Sequence, residues 1–156
     1  MSEESPVRDE RHHALDVFCG EWRAEGTSYG GTDQSGDPKA DGETWASTHS
    51  ARWHSGKFFL VQDERAVLGG QKTFDTLSIF GVDTTSGDHF VRTFDNNGYY
   101  RNYTLEFDGS VWTLIGSTER AQIEFSDSNR KQTITWEWKP SDRWLPLCDR
   151  VAVRTD

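Results

Sequence analysis

From Trp22 onward, short runs rich in Thr, Val, Phe, Tyr and Trp alternate with clusters of Gly, Asp, Asn and Ser. This is the rhythm of strands and turns. It predicts ten strands, over residues 22–29, 43–54, 57–65, 73–82, 89–95, 99–107, 111–117, 120–126, 132–139 and 144–154. Ahead of them, Ala14, Leu15 and Phe18 fall at near-helical spacing, so residues 9–18 are expected to form a short helix that Gly20 ends. Residues 1–9 are charged and small and read as a flexible tail, leaving 10–156 as one domain.

The turn chemistry agrees. His54-Ser55-Gly56-Lys57 reads as a tight connection, and Asp83 to Asp88 as a longer polar loop. Asn96-Asn97-Gly98 and Asp108-Gly109 are hairpin signals, because Asn-Gly and Asp-Gly suit the turns that match strand twist. Asp127-Ser128-Asn129 plays the same part, and Gly69-Gly70 also sits between strands. Only the segment from Gly30 to Gly42 reads as a long loop. Consecutive hairpins imply a meander. As an open sheet it would expose two edges, and closure removes them. The expected fold is therefore all-β: a single up-and-down antiparallel barrel of about ten strands, a size able to enclose a ligand. No helical pattern alternates with the strands, which speaks against a parallel α/β fold.

Composition adds limits. Hydrophobic residues make up only 33% of the 156 and mean hydropathy is -0.80, yet aromatics reach 13%, including Trp 7 and Phe 9. Large rings then supply much of the buried area. A formal net charge of -9 opposes binding to nucleic-acid backbones and to anionic membranes. No apolar run approaches a bilayer span, and MSEESPVRDERHH lacks a signal-peptide core, so the cytoplasm is the expected location. Cys19 and Cys148 flank nearly the whole chain. Free thiols are expected, unless pairing of the first and last strands brings the two together.

Gly20-Glu21-Trp22 at the start of the first strand resembles the opening of the calycins, the lipocalins and fatty-acid-binding proteins among them. That resemblance implies that Trp22 plugs one barrel end and that a cation from the last strand, Arg150 or Arg154, packs over it. More of the chain, from about Leu15 to Arg154, resembles the bacterial DUF1579 family, which has no established activity. The motifs are Gly20-Glu21-Trp22, Gly56-Lys57-Phe58-Phe59-Leu60, Gly81-Val82-Asp83 and Phe94-Asp95-Asn96-Asn97-Gly98. Val82 stands where a Tyr is usual, and the segment from Trp144 to Arg150 departs from the pattern. The haem-binding nitrobindins share the Gly-x-Trp start but need a His late in the barrel. Here His12, His13, His49, His54 and His89 all come earlier, so no cofactor is expected.

No catalytic set emerges. A nucleophile elbow and phosphate-binding Gly patterns are missing, and His49 and His54, five apart, fall on opposite strand faces, so no metal site is expected. Arg101 and Tyr103 share a strand face and suit a carboxylate, unless both point to solvent. Arg92 lies on one face with Phe90 and Phe94; if inward, it needs an anionic partner. Trp136 and Trp138 share a face, as do Trp45 and Trp53, and either line a cavity or fill the lumen. The leading expectation is a binding protein for a small apolar or amphipathic ligand, contacted by His49, Arg92, Arg101, Tyr103, Trp136 and Trp138. One alternative is a homodimer formed through an outer surface near Trp144, Leu145 and Leu147. Another is an enzyme for a small hydrophobic substrate, with His49 as its acid-base group.

Overall fold

The computed structural model describes residues 4–30 and 36–156. The first three residues of the expected tail and residues 31–35 of the expected 30–42 loop lie outside this range. The strands are β1 (Gly20–Ser28), β2 (Glu43–Trp53), β3 (Leu60–Leu68), β4 (Lys72–Thr73), β5 (Thr76–Val82), β6 (His89–Asp95), β7 (Tyr100–Asp108), β8 (Val111–Ile115), β9 (Glu119–Ser126), β10 (Lys131–Trp138) and β11 (Leu145–Arg154). Each pairs antiparallel with its neighbours, and β4 is a two-residue piece beside β3. The remaining ten close into a barrel, because β1 pairs with both β2 and β11. The fold is the expected all-antiparallel, calycin-like barrel.

Several strand bounds differ from expectation. The strand expected over 111–117 stops at Ile115. The third begins at Leu60 rather than Lys57. Gly56 (φ 87) and Lys57 (φ 61) are both left-handed, a conformation no strand accommodates, and the His54 amide instead bonds the Phe59 carbonyl at 2.8 Å. The expected 73–82 strand is broken: β4 ends at Thr73, the Phe74 amide bonds the Ala66 carbonyl, and β5 resumes at Thr76.

One barrel end is plugged. The helix α1 (Glu10–Ala14) is followed by a single 3₁₀ segment, Leu15–Phe18. Five helical residues are too few to persist alone, so packing holds them. Asp9 caps α1: its carboxylate accepts from the Arg11 amide at 2.9 Å, and its own amide donates to His12 Nδ1 at 3.1 Å. Phe18 enters the lumen among Phe80, Trp112 and Phe125, with ring centroids 4.9, 5.2 and 5.2 Å away. The Trp22 indole donates to the Phe18 carbonyl at 3.1 Å, tying the plug to β1. His89 donates from Nε2 to the Arg11 carbonyl at 2.7 Å, and the Trp53 indole to Asp16 at 2.7 Å. Arg8, within the expected tail, donates to the Lys57 carbonyl and lies over the Trp53 ring.

Candidate functional site

Strand parity decides which residues reach the lumen. Cross-strand partners share a face, so the chain of pairs from Trp22 to His49 to Glu64 to Thr76 marks the inside of β1, β2, β3 and β5. Above the plug the interior turns polar. Ser47, His49 and Glu64 are buried, and Arg150 reaches them from β11. Trp45 Nε1 donates to Ser47 Oγ at 3.1 Å, and Ser47 Oγ donates to Glu64 at 3.4 Å. Arg150 Nη1 stands 3.6 Å from Glu64 Oε1, and its guanidinium carbon lies 3.7 Å from the Trp45 ring centroid. Gly26 makes this possible. It sits between Trp45 and Arg150 in register, and a Cβ there would strike the backbone of Asp149 and Arg150.

His49 stacks on Trp22, with ring centroids 6.0 Å apart and planes 12° from parallel. Its Nδ1 is 3.9 Å from Glu64 Oε2, beyond hydrogen-bond reach. Neither ring nitrogen has a hydrogen-bond partner among the described residues. Burial, and then the charge of Arg150, lowers its pKa to about 4, so the ring is neutral at pH 7. A neutral imidazole offers one donor and one acceptor. Burial pushes the Glu64 carboxyl up, opposed by Arg150 and the Ser47 hydroxyl. Gln132 Nε2 is a third buried polar atom without a partner among the described residues.

A second cluster lies in the wall. β8 stops at Ile115, so β7 has no ladder partner on that side between Tyr100 and Tyr103. A cleft of about 340 Å³ opens there, between residues 100–103 and 116–119. Arg101 and Tyr103 face inward and do hold a carboxylate, namely that of Glu119. The Arg101 Nε lies 3.1 Å from Glu119 Oε1, and the Tyr103 hydroxyl donates to Oε2 at 3.0 Å. Arg101 Nη1 also donates to Asp95 at 3.4 Å. A larger depression of about 580 Å³, beside the exposed Arg23, Thr48 and Arg65, contains none of the expected site residues.

The expected residues thus separate. His49 belongs to the polar layer, Arg101 and Tyr103 to the wall cleft. Trp136 links the two: it meets the Tyr103 ring at 5.6 Å and pairs with Cys148. Trp138 lies half-buried beyond a bulge at Trp136/Glu137. Arg92 is excluded from the lumen. Val91 is the inward residue, 1% exposed, so the Phe90–Arg92–Phe94 face is the outside, and Arg92 lies over the Phe90 ring. The cation expected over Trp22 is also elsewhere. Trp22 is buried and closes the core, but His49 covers its face, Arg150 lies over Trp45, and Arg154 turns to Asp156 at 2.8 Å. Both cysteines are free thiols. Cys148 lies opposite Ser28, whereas Cys19 precedes Gly20, so the length of β1 separates them. Arg150 Nε bonds Cys148 Sγ at 3.1 Å, and burial pushes that thiol's pKa up.

Glu64, Ser47 and Glu119 escaped the sequence reading. A tight turn at residues 54–57 would have set Gln62 opposite His49; the longer connection sets Glu64 there. Glu119 crosses a gap that no pairing rule anticipates. Among the described residues, no group of three potential ligands is placed to hold a metal ion, and no helix is long and apolar enough to cross a membrane.

No family model and no curated protein matches this chain. Among solved structures, it is similar to an S-type phycobiliprotein lyase, CPES, from Guillardia theta, with a TM-score of 0.52 and 11% identity over 96% of this chain and 94% of that one. At this identity the likeness concerns the fold alone.

Proposed function

We propose that the barrel binds a small amphipathic organic molecule against its polar layer, on the side away from the plug. The observation that carries this reading is His49: buried, neutral, and without a hydrogen-bond partner at either nitrogen. An unmet buried polar atom costs about 1–3 kcal/mol. A ligand that accepts from one nitrogen and donates to the other recovers that cost. Trp45 and Trp136 supply flat apolar surface, and Arg150 supplies a cation already neutralised by Glu64. The layer therefore suits a neutral polar group on an aromatic or aliphatic body. The charge of -9 suits a protein that keeps away from nucleic-acid backbones and anionic membranes, and the ordered motifs from Gly20 to Gly98 support kinship with DUF1579.

The test is native mass spectrometry of the protein purified from its own host. A small organic adduct, lost on denaturation and reduced in a His49→Phe variant, is the expected result. A ligand-free spectrum for the unmodified protein would sink the reading. A second reading, an enzyme acting on a small hydrophobic substrate, takes the buried His49 as its acid-base group, with the Glu64 carboxyl 3.9 Å away. A homodimer through Trp144 has less support, since Arg120 and Lys139 already lie over that ring at 4.2 and 5.8 Å.

A further inference from the structure

We propose that the wall cleft is a carboxylate-exchange site: the carboxylate of an incoming organic acid replaces Glu119 on Arg101 and Tyr103, and so unlatches the wall between β7 and β9. This deepens the luminal-binding reading and rests on it. The missing β8 ladder leaves the barrel joined here by side chains rather than by backbone bonds. The clamp is built for a carboxylate, since a guanidinium and a phenol hydroxyl converge on one pair of oxygens.

The two acids on Arg101 differ in how firmly they are held. Asp95 has a side chain 4% exposed and also accepts from the Asn97 and Tyr99 amides at 2.9 and 3.1 Å, so it stays as counter-ion. Glu119 is the first residue of β9, next to a turn, and its side chain is 19% exposed. No backbone amide holds its carboxylate as two hold that of Asp95, so the exchange displaces only the two side-chain contacts. Exchanging one carboxylate for another leaves the local charge unchanged, which a neutral ligand does not achieve. Burial and the Glu119 charge hold the Tyr103 phenol protonated, so it remains a donor. Behind the clamp, Tyr103 meets Trp136, one strand from Cys148 and the polar layer. An acid bound here would direct its apolar body inward along this route.

The test is a fluorescence titration with a dansylated undecanoic acid and its methyl ester, on the wild-type chain and on Glu119→Gln, Arg101→Gln and Tyr103→Phe. The acid should bind wild type more tightly than the ester does. It should bind Glu119→Gln about tenfold more tightly than wild type and Arg101→Gln about tenfold more weakly. Tyr103→Phe should weaken it by a few-fold, and the ester should respond to none of these changes. If the ester equals the acid and Glu119→Gln changes nothing, the exchange site is overturned while luminal binding stands. If neither probe binds any variant, both readings fall. Circular dichroism checks each fold. Should Glu119→Gln not fold, the wild-type preference for acid over ester and the Tyr103→Phe response decide the matter.

Discussion

At the plugged end, Phe18 sits among Phe80, Trp112 and Phe125 in a lumen packed with rings. In the other half, Ser47, His49, Glu64 and Arg150 occupy the equivalent interior positions. Both sets point into the lumen, one from the 3₁₀ segment with β5, β8 and β9 and the other from β2, β3 and β11, so facing inward does not distinguish them. The energetics do. Ring packing gains free energy directly from burial. A buried ion pair roughly offsets its own desolvation, and an unpartnered imidazole costs stability outright. The plug fills its end of the barrel with apolar contacts, and the polar half is where structure is held at the expense of stability. That contrast places the binding reading in the second half.

Three measurements test the contrast. Truncating the plug with Phe18→Ala should cost about 3–5 kcal/mol in urea unfolding, through lost burial and the cavity left behind. A loss below about 1 kcal/mol would show that the plug is not a core element. Next, Arg150→Ala should cost about 3 kcal/mol, because it strands Glu64 inside the barrel. The double variant Arg150→Met with Glu64→Gln should recover most of this, which distinguishes an orphaned charge from lost packing. An equal loss in both would instead assign the effect to packing on Trp45.

The smallest effect is a pH dependence. Folding lowers the His49 pKa from 6.5 to about 4, so between these values the unfolded chain binds the extra proton. Stability should therefore fall as pH drops from about 6.5 towards 4, by about 2–3 kcal/mol from this residue. The contribution is fully present above that window. Subtracting the pH profile of His49→Phe removes the opposing share of Glu64, whose carboxyl burial pushes up. Identical slopes in the two proteins would refute a buried neutral His49.

Much of the fold was legible because turns are local. Asn97-Gly98 and Asp108-Gly109 announce their hairpins in a few residues, and β6 falls on residues 89–95 as read. The errors were also local in origin but not in effect. The longer 54–59 connection moved the register by two residues, which kept every face but replaced Gln62 by Glu64 opposite His49. From sequence, Arg101 and Tyr103 were open between a carboxylate pair and two solvent-facing side chains; only the fold turns both inward onto Glu119, from across the wall gap.

The strand rhythm, a short N-terminal helix and a meander that must close follow from neighbouring residues and from the cost of free edges; that the helix plugs the barrel does not. Only the tertiary structure decided which face of β6 turns outward with Arg92, that Arg150 rests on Trp45 rather than Trp22, and that a gap opens beside β7. The reason is that strand parity and barrel register are set by many distant pairings at once, and the lumen's chemistry depends on both.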